Sequence, residues 1–243
     1  MINVPFIELQ QVDSTNNYAT ALVHAGMAQH GTAVFAHEQT EGRGQRQKVW
    51  ETGKGENIAI SIILYPQAIA LSQVFLVSMA TALGAHHFFS RYAGADTKIK
   101  WPNDLYWRDR KAGGILIENS IQAADWKYAV AGIGININQT QFSTLVANAV
   151  SLKQITGHNY NTVELAKELH SDVLHRFEVL QQQPEEIITG YHSHLYKKDE
   201  KVKLKKGSRI FDAIIKEVTL QGLLVVQHAV EEQFGVGEVE WVG

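Results

Sequence analysis

Cysteine is missing from this sequence, and its absence excludes several kinds of chemistry at once. A chain without thiols has no disulfide framework, no CxxC zinc site and no cysteine nucleophile. Long hydrophobic runs are missing too, since no apolar stretch reaches the roughly 18 residues that a membrane-spanning helix needs. The formal net charge of −3 argues against a mode of binding in which the whole molecule attracts nucleic acid.

The composition that remains is that of a folded globular protein. Hydrophobic residues make up 45% of the 243 residues and charged residues 19%, which is ordinary for such proteins. The length suits one large domain, or one domain with a small appendage. The opening segment MINVPFIELQ lacks the basic start and the apolar stretch of a signal peptide, so we expect a cytoplasmic protein.

Hydrophobic patterning predicts alternating strands and helices over the first four fifths of the chain. Apolar, β-branched runs predict strands at 6–9, 32–38, 57–65 and 98–101, and a pair of strands at 114–121 and 126–137 joined by a polar turn. Helices are predicted from a cap at Ser14 or Thr15 to Gly26, over 70–92, from a cap at Thr162 through Leu180, and from Pro184 onward.

The pattern changes after Leu195. The segments KKDEKVKLKKGSRIF and IIKEVTLQGLLVVQH alternate with period two and carry glycines at their turns, which is typical of a small β-barrel. We therefore predict two domains, with residues 1–196 in the first and 197–243 in the second.

The segment EGRGQRQKVW, residues 41–50, has the composition of an anion-binding loop without a standard phosphate motif. Both GxxxxGK[ST] and GxGxxG require a glycine where Gln47 stands. Gly42 and Gly44 nevertheless allow close backbone approach, and Arg43 and Arg46 are forked donors suited to carboxylate or phosphate. Taken alone, the GRG is better interpreted as a solvated surface loop.

Two later segments add lysines at turns. KWPNDLYW, which begins at Lys100, sets a lysine beside a proline-fixed turn, and its Asn103 and Asp104 are both turn formers and polar ligands. RKAGGILIE puts Lys111 just before a glycine pair that starts an apolar strand, so its ammonium can reach a ligand lying on the sheet. The alternative for the glycine pair is a tight turn or a bulge.

A third segment, AGIGIN at 131–136, alternates glycine with larger residues. Gly132 and Gly134 leave one face of the predicted strand without side chains, and Asn136 lies on that same face. Such a bare face suits a flat ligand, and it equally suits a helix packed closely on the sheet.

The order VDSTN, EQTEGRGQR, KWPND, KAGGILIE and GIGIN resembles that of the biotin–protein ligases from about Val12 to Asn138. KWPND together with KxGGILxE is the specific part of the resemblance. It implies an α+β fold, with helices packed on a mixed, largely antiparallel sheet as in class II synthetases. It also implies a small C-terminal SH3-like β-barrel, and a short form of the enzyme without the N-terminal DNA-binding domain that some members carry.

The resemblance implies an ATP-dependent ligase. Such enzymes join biotin to ATP, release pyrophosphate, hold biotinyl-5′-AMP and pass the biotinyl group to one lysine of a biotin carboxyl carrier domain. ATP and Mg²⁺ are the implied cofactors, with the metal held through phosphate oxygens and no protein ligand assigned. We expect the carrier domain as partner, neither DNA nor a membrane, and either a monomer or a homodimer.

Residue roles follow from the matching positions. The resemblance assigns biotin binding to Ser14, Thr15, Gln39, Gly42, Arg43, Lys111, Gly114, Leu116, Gly132 and Ile133. It assigns the ATP and adenylate side to Arg43, Arg46, Trp50, Lys100, Asn103, Lys111 and Asn136. Arg43, Lys100 and Lys111 would offset the charge that builds when a carboxylate attacks the α-phosphate. Asp104 would act as a base or orienting group toward the acceptor amine.

This sequence departs from the family pattern within the loop. Many members read GRGRRG, whereas Gln45 and Gln47 replace the second basic residue and the last glycine. The loop therefore carries less positive charge and less backbone freedom, and we expect weaker retention of the adenylate.

Two rival functions remain open at this point. A lipoate or octanoyl transferase shares the fold, although the octanoyl enzymes use a cysteine that is absent here. A non-catalytic biotin sensor is the other rival, and the presence of Arg43, Lys100, Lys111 and Asn136 argues against it.

A run of lysines between Lys197 and Lys206 has two interpretations. We favour a solvated face, while the alternative is that the run steers an acidic carrier domain. The histidines show no spacing that predicts a metal site.

Overall fold

The computed structural model describes residues 4–50, 53–66, 69–123, 125–143 and 148–242, without the side chain of Gln47. The described residues form five α-helices and two short 3₁₀ helices, Gln45–Gln47 and Leu71–Gln73. The α-helices are α1 (Thr15–His24), α2 (Phe75–Ala93), α3 (Leu152–Thr156), α4 (Thr162–Gln182) and α5 (Pro184–Ser193). They also form twelve strands: β1 (Phe6–Leu9), β2 (Ala33–Ala36), β3 (Ile58–Leu64), β4 (Thr97–Lys100), β5 (Asp104–Trp107), β6 (Arg110–Gln122), β7 (Asp125–Ile135), β8 (Lys201–Lys206), β9 (Arg209–Val218), β10 (Leu224–Gln227), β11 (Glu231–Phe234) and β12 (Glu240–Val242).

The first sheet joins seven of the described strands in the order β1-β2-β3-β7-β6-β5-β4. Only the β1–β2 pair is parallel, and the remaining pairs are antiparallel. Every residue of β3 is buried, which explains its continuous apolar run, because a central strand covered on both faces needs no polar alternation. The predicted α+β fold with a mixed, largely antiparallel sheet is confirmed.

Helices cover the two faces of this sheet unequally. On one face α2 packs against α4, so closely that a Cβ at Gly84 would lie 2.7 Å from Val173 Cα. On the other face α1 packs on β3 and β7, in a separate cluster that includes Ala19, Ile63 and Val130. Since Val130 shares its face of β7 with Gly132 and Gly134, the glycines begin where the cover of α1 ends.

Several elements differ from the prediction. Strand β5 follows Asn103, where the sequence predicts only a turn, and the short helix α3 is not predicted at all. Helix α4 is capped by Asn161 rather than Thr162, because Asn161 Oδ1 accepts from the backbone N–H groups of residues 163 and 164. The turn predicted around residues 122–125 includes residue 124, which lies outside the described part of the chain, while Gln122 ends β6 and Asp125 begins β7.

The second sheet joins five of the described strands in the order β11-β10-β9-β8-β12, all antiparallel, and is consistent with the predicted SH3-like barrel. It packs directly on the segment that joins β4 to β5, where the indole N–H of Trp101 donates to the Gly222 carbonyl at 2.9 Å. The ring of Phe75 fills the space beside Gly222, so that a Cβ there would lie 2.5 Å from it.

The lysine run lies on β8 and the turn before it. Leu204 pairs with Trp241, and both face the interior side of the second sheet, so Lys203 and Lys205 project from the opposite side. This placement favours the solvated face over direct steering toward the cavity that Trp241 lines. No helix in the described ranges combines the length and apolar character needed to cross a membrane.

Candidate functional site

A cavity of about 480 Å³ lies over the glycine-bearing part of β7, on the same face of the sheet as α1 and beyond the area that α1 covers. Its walls come from the start of α1, the loop 41–50, the β4–β5 turn, the start of β6 and the second sheet. The structure brings together nearly all the predicted site residues: Ser14, Thr15, Gln39, Arg43, Arg46, Trp50, Lys100, Asn103, Asp104, Lys111, Gly114, Leu116, Gly132, Ile133 and Asn136. Ile133 also belongs to the main hydrophobic core.

Gly42 is the predicted residue that does not line the cavity. A Cβ at this position would lie 2.4 Å from the carbonyl oxygen of Trp50, and the Trp50 N–H donates to the Gly42 carbonyl at 2.9 Å. Gly42 therefore allows the two ends of the loop to approach each other, and its contact with biotin stays a prediction.

The floor of the cavity depends on two glycines. A Cβ at Gly134 would lie 2.3 Å from the indole of Trp50, and one at Gly132 would lie 2.3 Å from Asn16 Oδ1. The bare strand thus accommodates an indole at one end and the first turn of α1 at the other. At Gly132 the packing of a helix is observed, while at Gly134 the bare face holds the indole of Trp50, so a flat ligand on this face stays a prediction.

The end of the cavity at α1 is a network of buried polar groups. Gln39 Oε1 accepts from the Thr15 N–H at 2.8 Å and from its hydroxyl at 3.0 Å. The Ser61 hydroxyl lies 2.7 Å from Thr15 Oγ1 and 2.5 Å from Asn16 Oδ1. Ser14 is buried, and its side chain makes no capping bond. Such a connected network holds its members in fixed positions.

Arg43 lies at the rim, bound to this network. Its Nη2 donates to Asn17 Oδ1 at 2.6 Å and to Glu118 Oε2 at 3.1 Å. Glu118 also accepts from Asn16 Nδ2 at 2.7 Å, which connects Arg43 to the floor. Glu118 ends the KAGGILIE motif, and sequence reasoning assigned it no role.

Arg46 reaches across to the second sheet. A Cβ at Gly237 would lie 0.8 Å from Arg46 Nη2, so the guanidinium occupies the space that a side chain there would need. Gly237 has φ +89°, a conformation that glycine adopts without strain. The loop 41–50 therefore rests on the connection between β11 and β12.

Lys100 and Lys111, two of the lysines that line the cavity, have different partners. Lys111 Nζ lies 2.6 Å from Asp104 Oδ1, above Gly114, where a Cβ would be at ordinary contact distance from both groups. Lys100 Nζ donates to the Tyr106 hydroxyl at 3.2 Å. Burial lowers the pKa of Lys100, although the negative charge of Asp104 acts in the opposite direction.

Two asparagines hold the turn segments through backbone contacts. Asn103 Nδ2 donates to the Ile115 carbonyl at 2.7 Å, which fastens the β4–β5 turn to β6. Asn136 Nδ2 donates to the Val150 carbonyl at 3.2 Å, and its N–H donates to the Ala112 carbonyl at 2.8 Å. These bonds fix the positions of the backbone around Lys111.

Electrostatics distinguish this cavity from the rest of the molecule. Among the described lining residues five are cationic and one, Asp104, is anionic; the cations are Arg43, Arg46, Lys48, Lys100 and Lys111. The whole chain carries −3, so positive charge is concentrated here. Such a site attracts anions such as carboxylates and phosphates. Within the described ranges no group of three or more histidines and carboxylates is arranged to hold a metal ion.

Sequence reasoning missed several lining residues. Asn16 had a weak signal, as the polar residue that directly follows VDST. Ser61 does not line the cavity but binds Thr15 and Asn16, and it had a weak signal as the only polar residue inside β3. Tyr106 had none, and neither did the residues that the second sheet contributes, which are Val236, Gly237, Val239 and Trp241. The four residues of the second sheet are distant in sequence from every motif, whereas Tyr106 lies within KWPNDLYW without an assigned role.

Comparison with known families decides the relationship. The sequence pattern of the Biotin/lipoate A/B protein ligase family matches residues 8–136, which is more than half of the chain. The chain belongs to this family. The family membership inferred from the order of the motifs is therefore confirmed.

Individual members of the Biotin/lipoate A/B protein ligase family show the extent of the similarity. The bifunctional ligase/repressor BirA of Escherichia coli K12 is 32% identical over 231 residues, covering 90% of this chain and 68% of that protein. The biotin–[acetyl-CoA-carboxylase] ligase of Paracoccus denitrificans is 37% identical over 131 residues, covering 53% of each. A solved structure of the biotin protein ligase from Aquifex aeolicus, in complex with biotin and ATP, has a TM-score of 0.80 at 22% identity and covers 98% of both chains. At that identity the likeness shows a shared fold.

Proposed function

We propose that this family member is a biotin–protein ligase. It activates biotin with ATP to biotinyl-5′-AMP, releases pyrophosphate, and transfers the biotinyl group to a lysine of a biotin carboxyl carrier domain. The observation that carries the proposal is the single cavity in which five cations meet one carboxylate beside a floor of glycines. The relatives named as biotin ligases favour biotin over lipoate as the acid.

The first step brings two anions together. A carboxylate oxygen of biotin forms a bond to the α-phosphorus of ATP, and the bond from that phosphorus to the pyrophosphate oxygen breaks. Lys100 and Lys111 line one side of the cavity, and Arg43 lies at its rim. Fixed cations in a partly buried site stabilise the charge that develops without needing to reorganise. No protein nucleophile takes part.

The second step needs an uncharged amine. The acceptor lysine attacks the acyl carbon of the adenylate, AMP leaves, and one proton leaves the amine. Asp104 is the proposed base or orienting group, because it is the only carboxylate among the described lining residues. Its ion pair with Lys111 places it beside the residue assigned to the biotin carboxylate.

Mg²⁺ fits this site as a companion of ATP. The lone lining carboxylate is already paired with Lys111, so the donor set does not form a protein cage for a cation. Phosphate oxygens and water would supply most of the ligands, as is usual for this ion.

We further propose that residues 1–196 form the catalytic domain and 197–243 the barrel domain. The first sheet is complete before Tyr196, and β8 begins at Lys201. Because the reaction consumes ATP, we propose the cytoplasm as its location, with a monomer and a homodimer both compatible with the cavity.

Mass spectrometry of an acceptor tests the proposal. A biotin carboxyl carrier domain, incubated with the chain, biotin and Mg-ATP, should gain one biotinyl group, and the Lys111→Ala variant should transfer far less. Absence of biotin-dependent pyrophosphate release from the unaltered chain would favour a sensor, and preferential use of lipoate would favour a lipoate ligase.

A further inference from the structure

Lys100 lies in a cage of aromatic rings. Its ammonium is 4.4 Å from the ring centroid of Tyr106, 4.8 Å from that of Trp241 and 5.3 Å from that of Tyr196. All three distances are within the range in which a cation is attracted to the face of a ring. The Tyr106 hydroxyl adds one hydrogen bond at 3.2 Å.

The cage replaces an ion pair. Among the described residues no carboxylate lies within 4.0 Å of Lys100 Nζ, whereas Lys111 in the same cavity pairs with Asp104 at 2.6 Å. A carboxylate partner would cancel the charge of the ammonium. Aromatic faces attract the cation but carry no net charge, so they leave the charge of the ammonium uncompensated.

The three rings come from three different parts of the chain. Tyr106 lies on β5, Tyr196 follows α5, and Trp241 lies on β12 of the second sheet. Tyr196 is fixed by its hydroxyl, which donates to Asp109 Oδ1 at 2.6 Å, and its ring lies 5.1 Å from that of Tyr106 and 5.7 Å from that of Trp241. The ring packing therefore joins the second sheet to the β4–β5 turn.

Trp241 does more than fill space in the core. Its ring lines the cavity, and its indole N–H is buried without a hydrogen-bond partner among the described residues. A buried, unpartnered donor is rare in folded proteins and calls for an explanation, and the position of Trp241 at the cavity wall makes a ligand acceptor one candidate partner.

We propose that Trp241 is a positioning residue through which the second sheet holds Lys100 as an unpaired cation for the phosphates of ATP. The inference rests on the proposed ligase function and deepens it, because it gives the C-terminal domain a part in the nucleotide step. It differs from a structural role for Trp241, which would affect folding and both substrates alike.

Replacements at Trp241 separate these roles. Trp241→Leu keeps apolar volume and removes the ring, and it should raise the Kd of ATP, measured by calorimetry, roughly tenfold. Trp241→Phe keeps a ring face and should stay within about threefold of the unaltered chain. The KM of biotin should not change in either variant. Phe211→Leu is the matched control, because Phe211 meets Arg209 on the second sheet and does not line the cavity.

A second background shows whether the effect passes through Lys100. In Lys100→Met, adding Trp241→Leu should cause no further loss of ATP affinity. The inference would be overturned if Trp241→Leu lowered ATP affinity equally in the unaltered chain and in Lys100→Met. It would also be overturned if Trp241→Leu and Trp241→Phe lowered ATP affinity equally and both lowered the Tm. Absence of biotin-dependent pyrophosphate release from the unaltered chain would instead overturn the proposed function, while calorimetry still decides the role of Trp241.

Discussion

Lys111 Nζ lies 2.6 Å from Asp104 Oδ1, so the lysine assigned to the first step and the carboxylate assigned to the second form one ion pair. Both side chains are partly exposed to the cavity, where water and ligands can compete with the pair. The contact therefore positions two groups more than it stabilises the fold, because an ion pair of this kind contributes only about 0–1 kcal/mol. Two predictions separate the roles of its members.

Replacing the lysine should abolish activation of biotin. Lys111→Ala removes a fixed cation from the reacting centre and should slow biotin-dependent pyrophosphate release by about 100-fold or more. Lys127→Ala is the matched control, since Lys127 pairs with Asp125 on the surface, and it should behave as the unaltered chain. A Lys111→Ala variant with normal release would remove Lys111 from the chemistry.

Replacing the carboxylate should affect mainly the transfer step. Asp104→Asn keeps the shape but leaves no anion for the acceptor amine, so we expect transfer from preformed biotinyl-5′-AMP to slow by roughly 100-fold. Pyrophosphate release should fall much less, because Lys111 keeps its charge. Single-turnover measurements of both steps check this, and equal slowing of the two would contradict a role specific to transfer.

Alanine replacements of the two floor glycines should raise the KM of different substrates. Gly134→Ala would push a methyl group into the Trp50 indole and raise the KM of ATP, whereas Gly132→Ala would displace Asn16 and raise the KM of biotin. Overpacking of this kind costs about 1–3 kcal/mol, which corresponds to roughly tenfold or more in affinity. The variants serve as controls for each other, being two residues apart on one face. If both raise the same KM, the cavity does not have separate biotin and nucleotide ends.

The weak retention of biotinyl-5′-AMP expected from Gln45 and Gln47 should be reversible by restoring the family's residues. Gln45 lines the cavity, and Gln45→Arg would add a charged donor there, so biotinyl-5′-AMP should dissociate roughly tenfold more slowly. The double variant Gln45→Arg, Gln47→Gly tests the complete family pattern. Gln181→Arg adds the same charge on the exposed side of α4 and controls for the change in net charge. An unchanged off-rate in the double variant would refute the hypothesis of weak retention.

Acidification should destabilise the fold through His86. Burial lowers the pKa of His86 to about 4, the charge of stacked His194 acts in the same direction, and the hydrogen bond to the Thr97 carbonyl opposes both. Because the unfolded histidine titrates near pH 6.5, the unfolded chain binds more protons between about pH 4 and 6.5. Stability therefore falls as the pH falls through that window, by on the order of 2 kcal/mol.

Urea unfolding at pH 7 and pH 5 measures this effect. His86→Gln should flatten the dependence of unfolding free energy on pH, while His87→Gln, at the exposed neighbouring position of α2, should keep it. The same slope in His86→Gln and in the unaltered chain would mean that other groups cause the acid sensitivity. His30, His170 and His194 also have lowered pKa values through burial, so some slope should remain.

The sequence by itself determined the family, the order of the main elements and most of the cavity lining. These conclusions depend on local information: the apolar run of β3, the alternation of Gly132 and Gly134, and the short motifs around Lys100 and Lys111. Each arises from residues that are neighbours in the chain, so periodicity and motif order are enough to find it.

Tertiary structure decided which groups those residues meet. Glu118 binds Arg43 across 75 positions, Gly237 accommodates Arg46, and Trp241 closes the cage around Lys100 from the last strand. No local pattern predicts such contacts, because they exist only after segments distant in the chain have packed together, and those of Gly237 and Trp241 also need the second sheet in place. The charge of Lys100 could be read from the sequence, but whether that charge is paired or free depends on the packing of distant rings around it.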